Sequence, residues 1–330
     1  MSEPVTLSLI VLSYKRFDAT TGPCLATLGE VLQNPRAELI LVDNGSSDDS
    51  AANCAAWAVQ HPSAQYLPLP RNLGFAGGMN VGVGIAKGEW VCLVNSDTLF
   101  PPGAVEALLA ALARVPAKVA MIGPVTNEAG NGQRLPLPDA PLGDAITVGA
   151  RAMREPTDLF TPSYRTDFFC AAIQRSVWNQ LGGLDTKFGL GYFEDFDFSL
   201  RLRALGRKQV IAEDVFIAHV GSATFSAMGS AQRKLMRRNR TLLRERHPGA
   251  RFEHVRQANE RALRHLVATA LASGWTDGLR ERAAWRYAAL LWDEAKSPFK
   301  RWRWRWHTRD LRRTLDTHGI VPGFPNAARR

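Results

Sequence analysis

Leu39-Ile40-Leu41-Val42-Asp43-Asn44-Gly45-Ser46-Ser47-Asp48 is an unbroken apolar run that stops at small polar residues and an aspartate suited to capping a helix. A run with no polar alternation fits a strand buried on both faces, and such strands belong to parallel sheets covered by helices. The same pattern returns at Leu7 to Leu12, Trp90 to Val94 and Val119 to Ile122. Helical spacing of apolar residues falls between or after these runs, around 49–59, 76–86 and 104–113. The alternation predicts an α/β fold with a mostly parallel sheet. In open sheets of this kind ligands sit beyond the carboxyl ends of the strands. Chemistry is therefore expected at Ser13-Tyr14-Lys15-Arg16, Asp43-Asn44-Gly45-Ser46 and Asn95-Ser96-Asp97.

The 330 residues, 45% hydrophobic and 22% charged, describe a folded chain with one large domain and an appendage, and exclude a disordered or fibrous protein. Four cysteines without a Cys-x-x-Cys pair offer neither a zinc knuckle nor a disulfide framework and read as reduced core thiols. No stretch approaches the ~18 to 20 apolar residues of a membrane span. Met1-Ser2-Glu3-Pro4 lacks the basic and then apolar start of a secretory signal, so the cytoplasm is the expected compartment. No internal repeat is present. The net charge of +10 is uneven: residues 231–330 hold 24 Lys/Arg against 9 Asp/Glu, whereas the preceding 230 are net −5. This pattern sets the division into residues 1–228 and a basic, Trp-rich helical region at 229–330.

Residues 124–166, rich in Pro, Gly, Asn and Asp, read as a long loop or lid. A structured block follows from Phe168 to about Phe225, and then helical patterns at 231–246, 255–271 and 279–292.

Several positions carry chemistry, each with a plainer alternative. Asp43 can accept a hydrogen bond from a nucleobase or ribose, or simply organise its turn. Asn95 and Asp97 can hold a ribose and a divalent cation, since magnesium and manganese bind through one or two carboxylates plus substrate phosphates. Arg71-Asn72-Leu73-Gly74-Phe75-Ala76-Gly77-Gly78-Met79-Asn80 places glycines where a helix begins, either for a phosphate or for tight packing, and its spacing matches no dinucleotide or P-loop fingerprint. Tyr192-Phe193-Glu194-Asp195-Phe196-Asp197 crowds three carboxylates among aromatics at a helix start. Helix dipoles favour acids there, but mutual repulsion also raises a carboxylate pKa toward that of a general base. His219 is either a ligand or a satisfied structural histidine.

Taken in order, these motifs resemble family two glycosyltransferases of the GT-A fold, in the branch of rhamnosyl- and related sugar transferases. The matching pieces are Ile10 to Arg16, Leu41 to Asp48, Asn72 to Asn80, Leu93 to Thr98, Gly182-Gly183-Leu184-Asp185, Tyr192 to Asp197, and His219 with Gly221-Ser222. The resemblance implies a nucleotide-diphospho-sugar transferase that inverts the anomeric centre, with a UDP- or dTDP-linked donor, a Mg or Mn cofactor and a glycan or lipid-linked acceptor. It places Ser13, Tyr14, Asp43, Asn72, Asn95 and Asp97 on the nucleotide sugar, and Asp97 with His219 on the metal. Asp195 becomes the base, with Glu194 beside it and Asp197 and Asp185 on the acceptor side. Met79 stands where many relatives carry an arginine that could touch the diphosphate. The other reading is a non-catalytic sugar-nucleotide or glycan-binding scaffold.

In the tail, Lys300-Arg301-Trp302-Arg303-Trp304-Arg305-Trp306-His307 interleaves cations with indoles, and Trp285, Trp292, Phe299 and Trp306 recur every seven residues. Residues 285–313 therefore suit an anionic membrane surface, on the inner face of the plasma membrane, or else a helical subdomain packed on the core. Pro298 divides the segment in two. Nucleic acid is disfavoured, because a basic patch alone is unspecific.

Overall fold

The computed structural model describes residues 5–137, 142–221, 229–292 and 297–325; Ser222 of the His219 motif lies outside them. The strands are β1 (Leu7–Ser13), β2 (Ala37–Asp43), β3 (Gln65–Pro68), β4 (Trp90–Asn95), β5 (Thr98–Leu99), β6 (Val119–Val125), β7 (Phe160–Pro162), β8 (Cys170–Gln174), β9 (Lys208–Phe216) and β10 (Ala218–His219). Eight of them form one sheet in the order β3-β2-β1-β4-β8-β6-β9-β7, while β5 and β10 form a separate two-stranded ladder. The helices α1 (Thr21–Ala26), α2 (Gly29–Gln33), α3 (Ser50–Gln60), α4 (Gly74–Ile85), α5 (Ala104–Arg114), α6 (Leu142–Ala152), α7 (Arg175–Leu181) and α8 (Glu194–Ala204) accompany the sheet. Five more follow: α9 (Gly229–Arg246), α10 (Val255–Ser273), α11 (Asp277–Trp292), α12 (Pro298–His307) and α13 (Arg309–Thr317).

The β1–β4 half of the sheet is parallel, as its continuous apolar runs require, and β8 enters it antiparallel. Alternate residues of each central strand feed two cores. Leu7, Leu9, Val11, Leu39, Leu41, Cys92 and Val94 join Leu108 and Leu112 of α5 on one face. Ile10, Leu12, Ile40, Val42, Val91 and Leu93 join Met79 and Val83 of α4 and Phe198 of α8 on the other. The four cysteines are free and buried. The glycines of α4 serve close packing: a Cβ on Gly78 would come within 2.4 Å of Leu12, and one on Gly82 within 2.5 Å of Ile10.

Residues 124–166 are not one irregular loop. They contain α6 and β7, and their start forms a paired turn in which Thr126 N donates to Gln133 O at 2.9 Å and Leu135 N to Thr126 O at 2.7 Å. β7 is a three-residue edge strand ending in Pro162, too short for a period-two signal and placed where a sheet tolerates proline. Ala145 and Val148 bury one face of α6.

The C-terminal helices are anchored by an ion cluster that composition alone does not disclose. Glu213 of β9 is fully buried and accepts from Arg286 Nε at 3.1 Å, from Arg282 at 3.4 Å and from Thr161 Oγ1 at 2.7 Å. Burial alone would raise the Glu213 pKa, but the two guanidiniums outweigh it and hold the carboxyl below its usual range. Beside this cluster Trp285 is 2% exposed, stacks on Phe216 and donates its indole N–H to Pro136 O at 3.1 Å. The seven-residue aromatic spacing is thus split between two jobs, with Trp285 belonging to the core. Arg286→Met should cost about 3–5 kcal/mol in urea unfolding, because it leaves a buried carboxylate short of a partner. The Glu213 contribution is complete above the unfolded carboxylate pKa of ~4.3 and is lost as pH falls through the lower folded value. The gap between wild type and variant should therefore close in acid.

Candidate active site

The register of the parallel strands builds the site. Ser13 pairs with Asp43 and Leu12 with Asn95, so the polar ends of β1, β2 and β4 emerge level with one another. A cavity of about 710 Å³ opens there, lined by Tyr14, Asn44, Asn72, Asn95 and Asp97 on this side. Ser13 and Asp43 stand just behind the wall. Ser13 shares a hydrogen bond with Thr21 at 2.8 Å, and Asp43 Oδ1 accepts from Ser46 Oγ at 2.6 Å and Ser46 N at 3.2 Å. Asn44, one of the residues expected at the strand ends, lines the cavity and donates to Asn72 Oδ1 and to Gly74 O, each at 3.1 Å.

The β5–β10 ladder pairs His219 with Thr98 and so brings the imidazole beside Asp97, Nε2 to Oδ1 at 3.4 Å. His219 Nδ1 lies 3.0 Å from Glu128 O, which can only accept, so Nδ1 carries a hydrogen. The neutral ring then presents a lone pair from Nε2 to a carboxylate. Two acceptors face to face want a proton or a cation between them. Burial disfavours the imidazolium, but Asp97 outweighs it and raises the His219 pKa. Among the described residues no group of three or more His, Cys, Asp or Glu could hold a metal. A cation here would draw its remaining ligands from a diphosphate and water, the usual arrangement for magnesium or manganese.

The opposite wall is the turn before α8. Gly189, Gly191, Tyr192 and Phe193 all have positive φ, the last two at 72° and 76°. Adjacent non-glycine residues in this region are costly, about 1–2 kcal/mol each, and persist only when the surroundings impose them. Here α9 imposes them: buried Asn239 donates its amide to Phe188 O at 2.7 Å, Gly191 O at 2.8 Å and Tyr192 O at 3.1 Å. Gln232 of the same helix donates to the Tyr192 hydroxyl at 2.6 Å.

This turn delivers Glu194 and Asp195 to the cavity. Glu194 is 8% exposed, and its Oε2 has no hydrogen-bond partner among the described residues. Burial first, and then the neighbouring Asp195, push its pKa up to about 8. For Asp195 burial and Asp167 raise the pKa, Arg165 opposes them, and the result is about 6. Arg165 Nε stands 3.4 Å from Asp195 Oδ2, and Arg165 Nη2 stands 2.7 Å from Asp167 Oδ1.

Asp197 and Asp185 are not brought to the cavity wall. Asp197 Oδ2 accepts from Arg201 at 2.7 Å and its Oδ1 contacts His247 at 2.9 Å, while Asp185 caps a short turn through Lys187 N and pairs with Arg246. Met79 is fully buried, and the cavity's cation among the described residues is Arg165. Arg165 and Asp167 escape a sequence reading because they lie in the irregular stretch after β7. Only their proximity to three-dimensional partners marks them.

The polar ends of a parallel sheet thus face paired carboxylates across one cavity. The chain belongs to glycosyl transferase family 2, whose family model matches residues 8–181. Glu194, Asp195 and His219 lie beyond that match. An N-acetylglucosaminyl-diphospho-decaprenol L-rhamnosyltransferase of Mycobacterium tuberculosis is 27% identical over 222 residues, 59% of this chain and 70% of that one. Among solved structures, residues 1–349 of Staphylococcus aureus TarS share the fold with a TM-score of 0.51 at 14% identity, over 87% of this chain and 79% of that one. A mannosyltransferase of Pyrobaculum calidifontis, solved with GDP-mannose and Mn2+, covers 98% of this chain and 79% of its own at 17% identity and a TM-score of 0.49.

Replacing Asn239 with Ala should lower kcat for sugar transfer about 10- to 100-fold, the scale expected when catalytic groups shift by an ångström. Affinity for the nucleotide should stay the same, because the residues expected to hold it lie on the other wall. Steady-state kinetics beside nucleotide titration separates the two.

Proposed function

We propose that the chain is an inverting, divalent-metal-dependent hexosyltransferase. It moves rhamnose or another hexose from a UDP- or dTDP-linked donor to a hydroxyl of a glycan or lipid-linked acceptor, building a cell-surface polysaccharide at the cytoplasmic face of the plasma membrane. The observation that carries this reading is one cavity with the Asp97–His219 pair on one wall and Glu194–Asp195 on the other. Family membership supports the donor class. The mycobacterial relative's name specifies rhamnose transfer to a lipid-diphosphate-linked sugar, which favours a lipid-linked acceptor here.

In this mechanism residues 1–228 bind the donor. Tyr14 and Asn72 on the cavity wall, with Asp43 and Ser13 supporting them from behind it, recognise the base, and Asn95 holds the ribose. Asp97 and His219 would hold the cation, which neutralises charge on the diphosphate. Asp195 takes the proton of the acceptor hydroxyl as its oxygen bonds to the anomeric carbon, and the bond to the diphosphate breaks with its electron pair leaving on oxygen. Glu194, protonated near neutral pH, hydrogen-bonds the acceptor, and Asp185 and Asp197 support that side through α9.

Asp195→Asn should lower transfer by about 10²–10⁴-fold while donor binding persists. Full activity in the folded variant would remove Asp195 as the base. A base with a pKa of about 6 loses its function as pH falls through that value. The groups facing it are Arg165, Asp167 and Glu194, and removing the cation in Arg165→Gln should shift the acidic limb of the kcat profile upward. Calorimetric titration of UDP and dTDP with and without manganese identifies the nucleotide. Nucleotide binding without any transfer would instead favour a sugar-nucleotide-binding scaffold.

A further inference from the structure

α12 divides its aromatic residues between two opposite faces. Trp304 turns inward, against the Arg256 guanidinium at 5.2 Å, and belongs to the core shared by α10, α11 and α13. Phe299, Trp302 and Trp306, spaced by three and four, form the outward stripe and are 68%, 64% and 65% exposed. Three large aromatics side by side on one solvent-facing helix are an unusual exposure. Exposed Arg303 and Arg305 flank the stripe on a helical projection. Residues 297–313 contain seven Lys/Arg and a single acid, Asp310. No helix among the described residues is long and apolar enough to cross a membrane.

We propose that the outward face of α12 is a docking surface for an anionic phospholipid bilayer, with Phe299, Trp302 and Trp306 at headgroup depth and the flanking cations on lipid phosphates. Indoles prefer that depth because they pair an apolar ring with an N–H, and each basic residue near an anionic surface adds attraction. The surface is narrower than residues 285–313. Trp285 is in the core, and Leu311 and Leu315 turn α13 inward. An acidic protein or nucleic acid would satisfy the cations but would not account for three adjacent exposed rings on one stripe. The inference deepens the reading of the chain as a transferase for a lipid-linked acceptor. α12 rests on α10 through His307, 3.3 Å from Glu260. In turn α10 holds Pro162 and Tyr164 through Arg261, in the segment that carries Arg165 to the cavity wall. These contacts join α12 to the cavity wall, and docking through α12 would hold the protein at the kind of surface that carries a lipid-linked acceptor.

Flotation of the full chain with vesicles tests the surface independently of catalysis. Vesicles of phosphatidylcholine with phosphatidylglycerol should carry the protein upward, those of phosphatidylcholine alone should carry at least about tenfold less, and added salt should weaken the binding. The Phe299→Ser, Trp302→Ser, Trp306→Ser triple variant should lose at least about tenfold in anionic-vesicle binding. Because these side chains are exposed, its circular dichroism and its transfer to a short water-soluble acceptor should match wild type. Val59→Ser, on a still more exposed apolar residue of α3, should float as wild type does. Failure of the wild type to bind anionic vesicles, or undiminished binding by the triple variant, would overturn the proposal. So would a triple variant changed only in oligomeric state or in nucleic-acid gel shift. Vesicle binding by a protein that transfers no sugar would leave the surface standing and remove the transferase reading instead.

Discussion

Everything at the functional end of this protein depends on the in-register pairing of three parallel strands. Because Ser13 lies beside Asp43 and Leu12 beside Asn95, three separate chain segments end at one level, and their polar residues meet without any long-range specification of their own. Period-two burial then locks that register. A slip of one residue would send the side chains of one apolar core into the other, and each core is matched to a different set of helices.

The opposite wall has a different origin. It is a strained turn whose backbone is held by a helix from the basic C-terminal region, so that region completes the site as well as following it in sequence. The two N–H bonds of the Asn239 amide are shared among three carbonyls of the turn, which would otherwise lack partners in the interior. The Glu213–Arg286 cluster fixes the next helices to β9. The catalytic sheet and the appendage are consequently coupled by buried polar contacts, which tolerate displacement less well than apolar packing does.

Strands β1, β2, β4 and β6 and helices α3, α4 and α5 were legible because each contains enough residues for periodicity to show. So were Tyr14, Asn72, Asn95, Asp97, Glu194, Asp195 and His219, all of which line the cavity. What escaped is what periodicity cannot encode. β7 is three residues long, α6 sits among turn-forming residues, and Arg165, Asp167 and Asn239 acquire meaning only from partners distant in sequence. The buried arginines of α11 were hidden for the same reason, since a cation looks solvated until its carboxylate is located.

The two walls touch at Gly74 and Gly189, where a Cβ on the first would lie 2.0 Å from the carbonyl oxygen of the second, and Phe75 N donates to Leu190 O at 3.2 Å. That seam is main chain against main chain. The approach leaves no room for a Cβ on Gly74, so the two main chains keep one separation there, while the side chains of Phe75 and Leu190 beside it line the cavity. The seam is the fixed edge of a mould, and the cavity can be recut only through the side chains set beside that edge and beyond it, Phe75 and Leu190 among the first and Arg165 and Met236 among the second.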